Sequence, residues 1–154
     1  MRCWLSHAGY VALTLLSTLL PASGQTAPDI KFVNPKALGP PRGYTYLVDV
    51  NRPGRILFLA GQLGTDTTGK VVSADFQAQA TQAYENIKIA LASVGAKFDD
   101  VVKITFISLT SVPSCRDKYV NKAAPPASTT IEISKLAREG GLIEVDVTAV
   151  VPAR

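Results

Sequence analysis

The chain of 154 residues has little of the residue types on which much enzyme chemistry depends: one His, one Trp and two Cys. His7, Trp4 and Cys3 all precede residue 25, so residues 25–154 hold no His, no Trp and a single Cys, Cys115. In a chain from which residues 1–24 are removed, the absence of His excludes Ser-His-Asp and Cys-His catalysis and HExxH zinc sites. In the same chain, one Cys excludes an internal disulfide and a cysteine-cluster metal site. We expect Cys115 to be a small packing residue; a reactive thiol and an intermolecular bridge are the alternatives.

A hydrophobic run long enough to cross a bilayer is also missing. The apolar run at residues 9–20 has 12 residues, against about 20 for a membrane-spanning helix. Arg2 precedes this run and Ala22-Ser23-Gly24 follows it, which is the pattern of an export signal cleaved before Gln25. We expect residues 1–24 to be a signal peptide and the mature protein to be periplasmic or secreted, with no membrane contact. A retained N-terminal anchor is the alternative.

Clusters of like charge are absent as well. Arg2 is the one charged residue before residue 25, so the rest of the chain has 15 Lys and Arg against 12 Asp and Glu, a formal net charge of +3. These charges are scattered, with no basic stripe interleaved with aromatic residues. Nucleic-acid binding through phosphate contacts is therefore not expected.

The remaining sequence alternates between strand-like and helical periodicity. Residues 25–43, rich in Pro and Gly, are expected to form an extended lead-in. The patterns predict strands at residues 44–50, 55–60, 101–109, 128–135 and 143–151, with a Gly-rich loop at 61–69. On the last strand, Ile143 and every second residue to Val151 are apolar and face one side.

One helix is clearly predicted. Apolar residues recur at three- and four-residue steps from Phe76 to Val94, with Asp75 as the N-cap and Gly95 as the C′ residue. Polar residues, Gln79 among them, are assigned to the opposite face. A short second helix is predicted over residues 113–121, with Pro113 in its first turn and Pro125-Pro126 beyond its end.

This order of elements predicts one α+β domain over residues 44–154. Its mixed sheet has five or six strands, and two helices pack on one face. The other face is apolar enough to need cover, because an open apolar sheet in water is prone to aggregate. Self-association is the simplest way to cover it.

A segment resembling a phosphate-binding loop is better explained as a turn. Gly64–Lys70 matches the G-x-x-x-x-G-K pattern, but Val71 stands where Ser or Thr must hold Mg²⁺. The helix also begins several residues after the lysine instead of at it. A Gly-rich β-turn is therefore favoured.

Glu144 and Asp146 are two residues apart on a predicted strand and so share a face, about 7 Å apart at the backbone. Two carboxylates at this spacing can perform acid–base chemistry. A solvated or salt-bridged sheet face, with Lys103 or Lys135 on neighbouring strands, is the favoured alternative.

Together the segments resemble the RidA/YjgF family of small imine and enamine deaminases. The resemblance runs from about residue 34 to the C-terminus and is carried by Gly43-Tyr44-Thr45, Ile56–Gln62, Asp75–Gly95, Asp99–Lys103, Pro126–Thr129 and Leu142–Val145. It implies a chorismate-mutase-like α+β fold assembled as a homotrimer, without a cofactor. Clefts between the subunits would bind a small-molecule ligand.

The resemblance also implies a site. In active members, an arginine in a P-A-R-[ST] motif anchors the carboxylate of a 2-imino acid, and a glutamate of the last strand positions the attacking water. Glu144 matches that glutamate and is the expected catalytic residue. Tyr44, Gly61, Ser128 and Thr129 match positions expected to bind substrate.

The family's arginine is replaced here by Ser128. A serine offers one neutral donor where a guanidinium offers five charged ones, and loss of a buried charged pair costs about 2–5 kcal/mol. The connection from Ser108 to Cys115 is also shorter than the family's usual one. We expect weak or altered imine hydrolysis, with Arg42 or Arg116 as candidate replacements for the arginine. The alternative is a catalytically silent trimeric module that binds a ligand or another protein.

Overall fold

The structure, a computed structural model, describes residues 26–109 and 114–154, with side chains in the second range described from Arg116 onward. The predicted signal peptide at residues 1–24, the first turn containing Pro113 and the packing role of Cys115 lie outside these residues. In the described part of the chain, no helix has the length and apolar character needed to span a membrane.

The described residues form six strands and one α-helix. The strands are β1 (Asp29–Val33), β2 (Leu47–Arg52), β3 (Arg55–Leu63), β4 (Val101–Ser108), β5 (Ala127–Glu132) and β6 (Ile143–Val151). Helix α1 (Phe76–Ala92) connects β3 to β4. Short 3₁₀ turns lie at Lys36–Leu38, Phe98–Asp100 and Ser114–Lys118.

The strands are divided between two sheets. β1 and β2 pair antiparallel, so the lead-in segment contributes a strand, while the other four follow the order β3-β6-β4-β5. The β4–β5 pair is parallel and the other two pairs of this larger sheet are antiparallel. The predicted α+β fold with a mixed sheet is confirmed, and the structure adds the separation of β1 and β2 from the main sheet.

Helix α1 begins and ends as its caps predict. The Asp75 carboxylate accepts a hydrogen bond from the Ala78 N–H at 2.8 Å, which satisfies a free donor of the first turn. At the other end Gly95 has φ +76°. The Gly95 N–H donates to the Ala92 carbonyl and the Ala96 N–H to the Leu91 carbonyl. This pair of bonds is a Schellman motif with Gly95 at C′.

The apolar side of α1 packs on the main sheet and forms the core. Tyr84, Ile87 and Leu91 are fully buried against alternate residues of β4 and β6. The polar side of the helix differs from the prediction in one respect: Gln79, assigned to the exposed face, is fully buried. It lies three residues after Phe76 and four before Ala83, so the helical period places it among the core-facing residues.

The predicted second helix is a 3₁₀ turn of five residues, Ser114–Lys118. A helix this short forms few hydrogen bonds relative to the conformational entropy that its backbone loses. Short segments commonly adopt 3₁₀ geometry instead. Among the described residues, the sheet therefore has one α-helix on its face, where two were expected.

The opposite face of the main sheet carries exposed apolar side chains. Phe58 is 80% exposed, Ile56 47% and Ile131 43%. Register places Thr148 opposite Phe58 and Asp146 opposite Thr105 on this face. We call it the open face. Its apolar residues are the ones that the sequence predicted would need cover.

Candidate functional site

Glu144 lies over an irregularity in the strand beside it. In the β3–β6 ladder Leu59 pairs with Val147 and Gln62 with Val145, so two residues of β3 stand opposite Asp146 alone. This is a β-bulge, a feature that redirects side chains and is common beside active sites. Gly61 is one of its two residues. A Cβ at Gly61 would lie 1.8 Å from Oε1 of Glu144, so the carboxylate occupies the space that a side chain would fill.

The Glu144 carboxylate lines a cleft of about 420 Å³. The other lining residues are Leu63, Ala137, Arg138 and Glu139. Leu63 is the register partner of Glu144, and residues 137–139 belong to the segment that leads into β6. The volume is within the range of small-molecule sites, about 300–1,000 Å³. We call this space the Glu144 cleft.

Helix α1 fixes the cleft segment before β6 through Gln79. The Gln79 amide donates to the carbonyls of Ser73 at 2.7 Å and Gly140 at 2.9 Å, and its oxygen accepts from the Leu142 N–H at 2.9 Å. Gly64 packs against it so closely that a Cβ there would lie 2.4 Å from the Gln79 Cα. A buried amide with its donors and acceptor satisfied is a rigid support.

Asn86, two turns further along α1, fixes the other wall. Its amide donates to the carbonyls of Leu63 at 3.1 Å and Thr65 at 3.0 Å, and its oxygen accepts from the Gln82 amide at 2.9 Å. The end of β3 is thereby tied to the same helix as the segment before β6. The two segments that border the Glu144 cleft therefore share one support.

The segments that carry Tyr44 and Ser128 are bridged at the edge of the main sheet. Thr45 forms a parallel bridge with Ala127, and its N–H donates to the Pro126 carbonyl at 3.2 Å. This backbone contact brings Tyr44 beside the start of β5. The Tyr44 ring packs edge-on against Tyr46, with ring centres 5.2 Å apart.

Thr129 points to the open face, away from Ser128. Its hydroxyl accepts a hydrogen bond from the Lys103 ammonium. Lys103 therefore does not pair with the carboxylates of β6. Among the described residues, Glu144 and Asp146 form no ion pair with Lys103 or Lys135. Of the solvated or salt-bridged face favoured from sequence, the salt-bridged form with these lysines is thus absent from the described part of the chain.

Within one copy of the chain, Ser128 and Glu144 lie apart. Ser128 pairs with Ile104, which is buried beneath α1, whereas Glu144 pairs with Ile107 on the other face. The two positions are also three residues apart along the sheet, about 10 Å. Of the expected site residues, Glu144 and Gly61 lie against each other, whereas Tyr44 and Ser128 belong to segments that are bridged at another place, through Thr45 and Ala127.

Neither of the proposed replacement arginines lies in the Glu144 cleft. The Arg116 guanidinium covers Gly43, where a Cβ would lie 2.4 Å from Nη2, and lines a separate pocket of about 160 Å³. Arg42 is exposed. The arginine that does line the cleft is Arg138, which sequence reasoning missed. Its position six residues before Glu144, in the turn that leads into the same strand, is the signal that could have identified it.

The Gly64–Lys70 segment is a tight turn, as predicted. The Asp66 carboxylate accepts hydrogen bonds from the Thr68 hydroxyl at 2.7 Å, the Thr68 N–H at 2.9 Å and the Lys70 N–H at 3.1 Å. These bonds, led by that from the Thr68 side chain, lower the pKa of Asp66 from its ordinary value. Two of the backbone N–H groups that would face a phosphate are therefore bound to a carboxylate of the same loop.

The sequence of this chain resembles those of known proteins. A family model described as Endoribonuclease L-PSP matches residues 34–151. The chain belongs to the RidA/YjgF family. A RutC family protein of Saccharolobus solfataricus is 36% identical over 122 residues, which cover 75% of this chain and 90% of the relative.

A further relative and a solved structure are also similar to this chain. A 2-iminobutanoate/2-iminopropanoate deaminase of Salmonella typhimurium is 27% identical over 127 residues, covering 78% of this chain and 92% of the relative. Among solved structures, the Rid-family protein YyfB from Yersinia pestis, of unknown function, superposes with a TM-score of 0.66 at 29% identity, covering 79% of this chain and 98% of its own. The matches span almost the whole length of these relatives, and the residues matched by the family model, 34–151, include both β3 and β6.

Proposed function

We propose that the chain hydrolyses small imines or enamines in the Glu144 cleft, releasing ammonia. The observation that carries the proposal is the position of Glu144, whose carboxylate rests on the backbone of the Gly61 bulge and lines a cleft of ligand size. Two relatives named as 2-iminobutanoate/2-iminopropanoate deaminases, at 29% and 27% identity, support the choice of chemistry.

The proposed reaction needs only water and a positioned carboxylate. Glu144 orients a water molecule and accepts its proton as the oxygen attacks the C=N carbon. A C–O bond forms, and Glu144 passes the proton on to the nitrogen, which gives a carbinolamine. The carbinolamine then collapses: its hydroxyl proton moves to the nitrogen through Glu144, the C–N bond breaks, ammonia leaves and a carbonyl group remains. No oxidant, metal or cofactor takes part in this sequence of steps.

Ser128 is the reason that we expect a low rate of hydrolysis. Because a neutral hydroxyl replaces the family's arginine, we propose that 2-imino acids are hydrolysed more slowly than an arginine at this position would allow. A site that combines Ser128 and Tyr44 with Glu144 requires at least two copies, since one copy keeps the two groups apart. The separation supports a cleft between subunits.

The experiment measures ammonia release from freshly generated 2-iminopropanoate. We expect the wild-type protein to exceed the buffer rate and Ser128→Arg to exceed the wild type. If neither protein exceeds the buffer rate, deamination is wrong. The alternative, a catalytically silent trimer that binds a ligand or a protein, would then take its place, and the neutral residue at position 128 is the observation that favours it.

We also propose that the chain assembles as a homotrimer through the open face. The exposed Phe58, Ile56 and Ile131 side chains on that face support the proposal, because burial of large apolar side chains against another copy removes them from water. Light scattering should give a trimer for the wild type and smaller species for Phe58→Asp. Ile89, 67% exposed on α1, provides the control: Ile89→Asp should remain trimeric. A monomeric wild-type protein would contradict the proposal.

We propose that the chain is exported, and this proposal rests on residues 1–24 alone. Trp4 is the only tryptophan, so removal of this segment leaves a protein whose fluorescence comes from tyrosine. Material recovered from the periplasm or medium should show no tryptophan emission. A tryptophan signal in that material would mean that the segment is retained.

A further inference from the structure

Arg138 is the one guanidinium among the residues that line the Glu144 cleft. The base of its side chain lies beside Leu63 and Gly141: a Cβ at Gly141 would be 3.5 Å from the Cβ of Arg138 and 3.1 Å from a methyl group of Leu63. Its tip extends toward the 64–70 turn, where Nη2 lies 3.9 Å from the position of a Cβ at Gly69. The side chain thus runs along the rim of the cleft while Glu144 lies against the Gly61 bulge.

The positive charge of Arg138 is not neutralised by a neighbour. The ion pairs among the described residues do not include it, although Glu139 and Glu144 line the same cleft. The turn that carries it is fixed, since the Gly141 N–H donates to the Arg138 carbonyl at 3.1 Å and Gln79 holds Gly140 and Leu142. An exposed guanidinium on a fixed turn is available to a ligand.

From this arrangement we infer that Arg138 binds the carboxylate of the substrate in the Glu144 cleft. The inference rests on the proposed function and assigns the group that holds the carboxylate of its substrate. The charges that line the cleft define the orientation of the substrate. Two carboxylates exclude an anion except where it lies against Arg138, so the C=N end, which has no negative charge, faces Glu144.

The positions of the other candidate groups support the assignment to Arg138. Ser128 carries no charge with which to hold a carboxylate, and Arg116 lines a different pocket. Arg138 shares its cleft with Glu144 within one chain. Because it is exposed, it is a weaker anchor than a buried arginine, which agrees with the slow hydrolysis proposed above.

The test compares a charged and an uncharged substrate of the same shape, 2-iminopropanoate and 2-iminopropanamide. Arg138→Gln should raise KM for the acid roughly tenfold, the effect expected of one exposed charged contact, with little change in kcat. The same variant should leave the amide unchanged, and Arg138→Lys should give an intermediate KM. Arg52→Gln, an exposed arginine on β2, is the matched control and should change neither substrate.

Equal effects of Arg138→Gln on acid and amide, or no effect on either, would overturn the assignment. A selective loss for the acid in Arg116→Gln but not in Arg138→Gln would do the same. If the wild type hydrolyses neither imine, the proposed function fails, and titration with pyruvate and pyruvamide then decides the role of Arg138. The inference requires that Arg138→Gln weakens pyruvate binding roughly tenfold and leaves pyruvamide unaffected; pyruvate binding that is unchanged, or absent in the wild type, refutes it.

Discussion

The carboxylate of Glu144 occupies the space beside Gly61 that any other residue would fill with its own side chain, since a Cβ there would be 1.8 Å from Oε1 and 2.6 Å from Cδ. Glycine at this position is therefore a condition for the carboxylate's placement. The bulge between Leu59 and Gln62 brings the two residues together. The proposed chemistry depends on this contact.

Gly61→Ala should accordingly displace the Glu144 carboxylate and lower the rate of imine hydrolysis. Because a positioned acid–base group contributes about 10²–10⁴-fold, we expect a loss of at least about tenfold from its misplacement. Steady-state ammonia release measures the effect. In a Glu144→Gln background, the same substitution should cause no further loss; a full additional loss there would show that Gly61 acts independently of Glu144.

Gln79→Ala should destabilise the fold. The substitution leaves the Leu142 N–H and the carbonyls of Ser73 and Gly140 without their partner in a partly buried place, and we expect a loss of about 1–3 kcal/mol in the free energy of unfolding. Urea unfolding measures it. Gln77, exposed on the same helix, is the control, and Gln77→Ala should change stability by less than about 0.5 kcal/mol. Similar losses in both variants would contradict the role assigned to Gln79.

Glu85 gives the stability a dependence on pH. Hydrogen bonds from the Tyr119 hydroxyl, at 2.8 Å, and from Lys88 hold the pKa of Glu85 below its ordinary value of 4.5. A lowered pKa in the folded state means that the ionised form stabilises the fold. This contribution is complete above the ordinary value and is lost as pH falls through the lowered one.

Tyr119→Phe keeps the ring that stacks on Tyr84 and removes the hydrogen bond to Glu85. We expect a loss of about 0.5–1 kcal/mol at pH 7, a small value because the Glu85 side chain is 40% exposed. The difference from wild type should shrink as the pH is lowered below 4.5. Unfolding curves at several pH values measure it, and a difference that grows in acid would refute the assignment.

Local sequence signals predicted most of the fold. Asp75 and Gly95 marked the ends of α1, and the alternation from Ile143 to Val151 assigned each residue of β6 to its face, because caps and periods depend on neighbouring residues alone. The separation of β1 and β2 from the main sheet depends on strand pairing, which composition does not encode. Gln79 was misassigned because its polarity was given more weight than its place in the helical period.

The candidate site was predictable only in part. The resemblance identified Glu144 and Gly61, and the structure shows that they touch. It also grouped Ser128 with Glu144 in a cleft between subunits; the sheet register places them on opposite faces of one copy, so this grouping stays a prediction. Arg138 was missed because its proximity to Glu144 is a property of the turn before β6, which is held by hydrogen bonds from a distant helix.

Ammonia release from 2-iminopropanoate by the wild type and by Glu144→Gln tests the central claim most directly. The substitution keeps the size of the side chain over Gly61 and removes its ability to accept a proton. We predict a decrease of about a hundredfold or more, with unchanged assembly and stability. Equal rates for the two proteins would contradict the account.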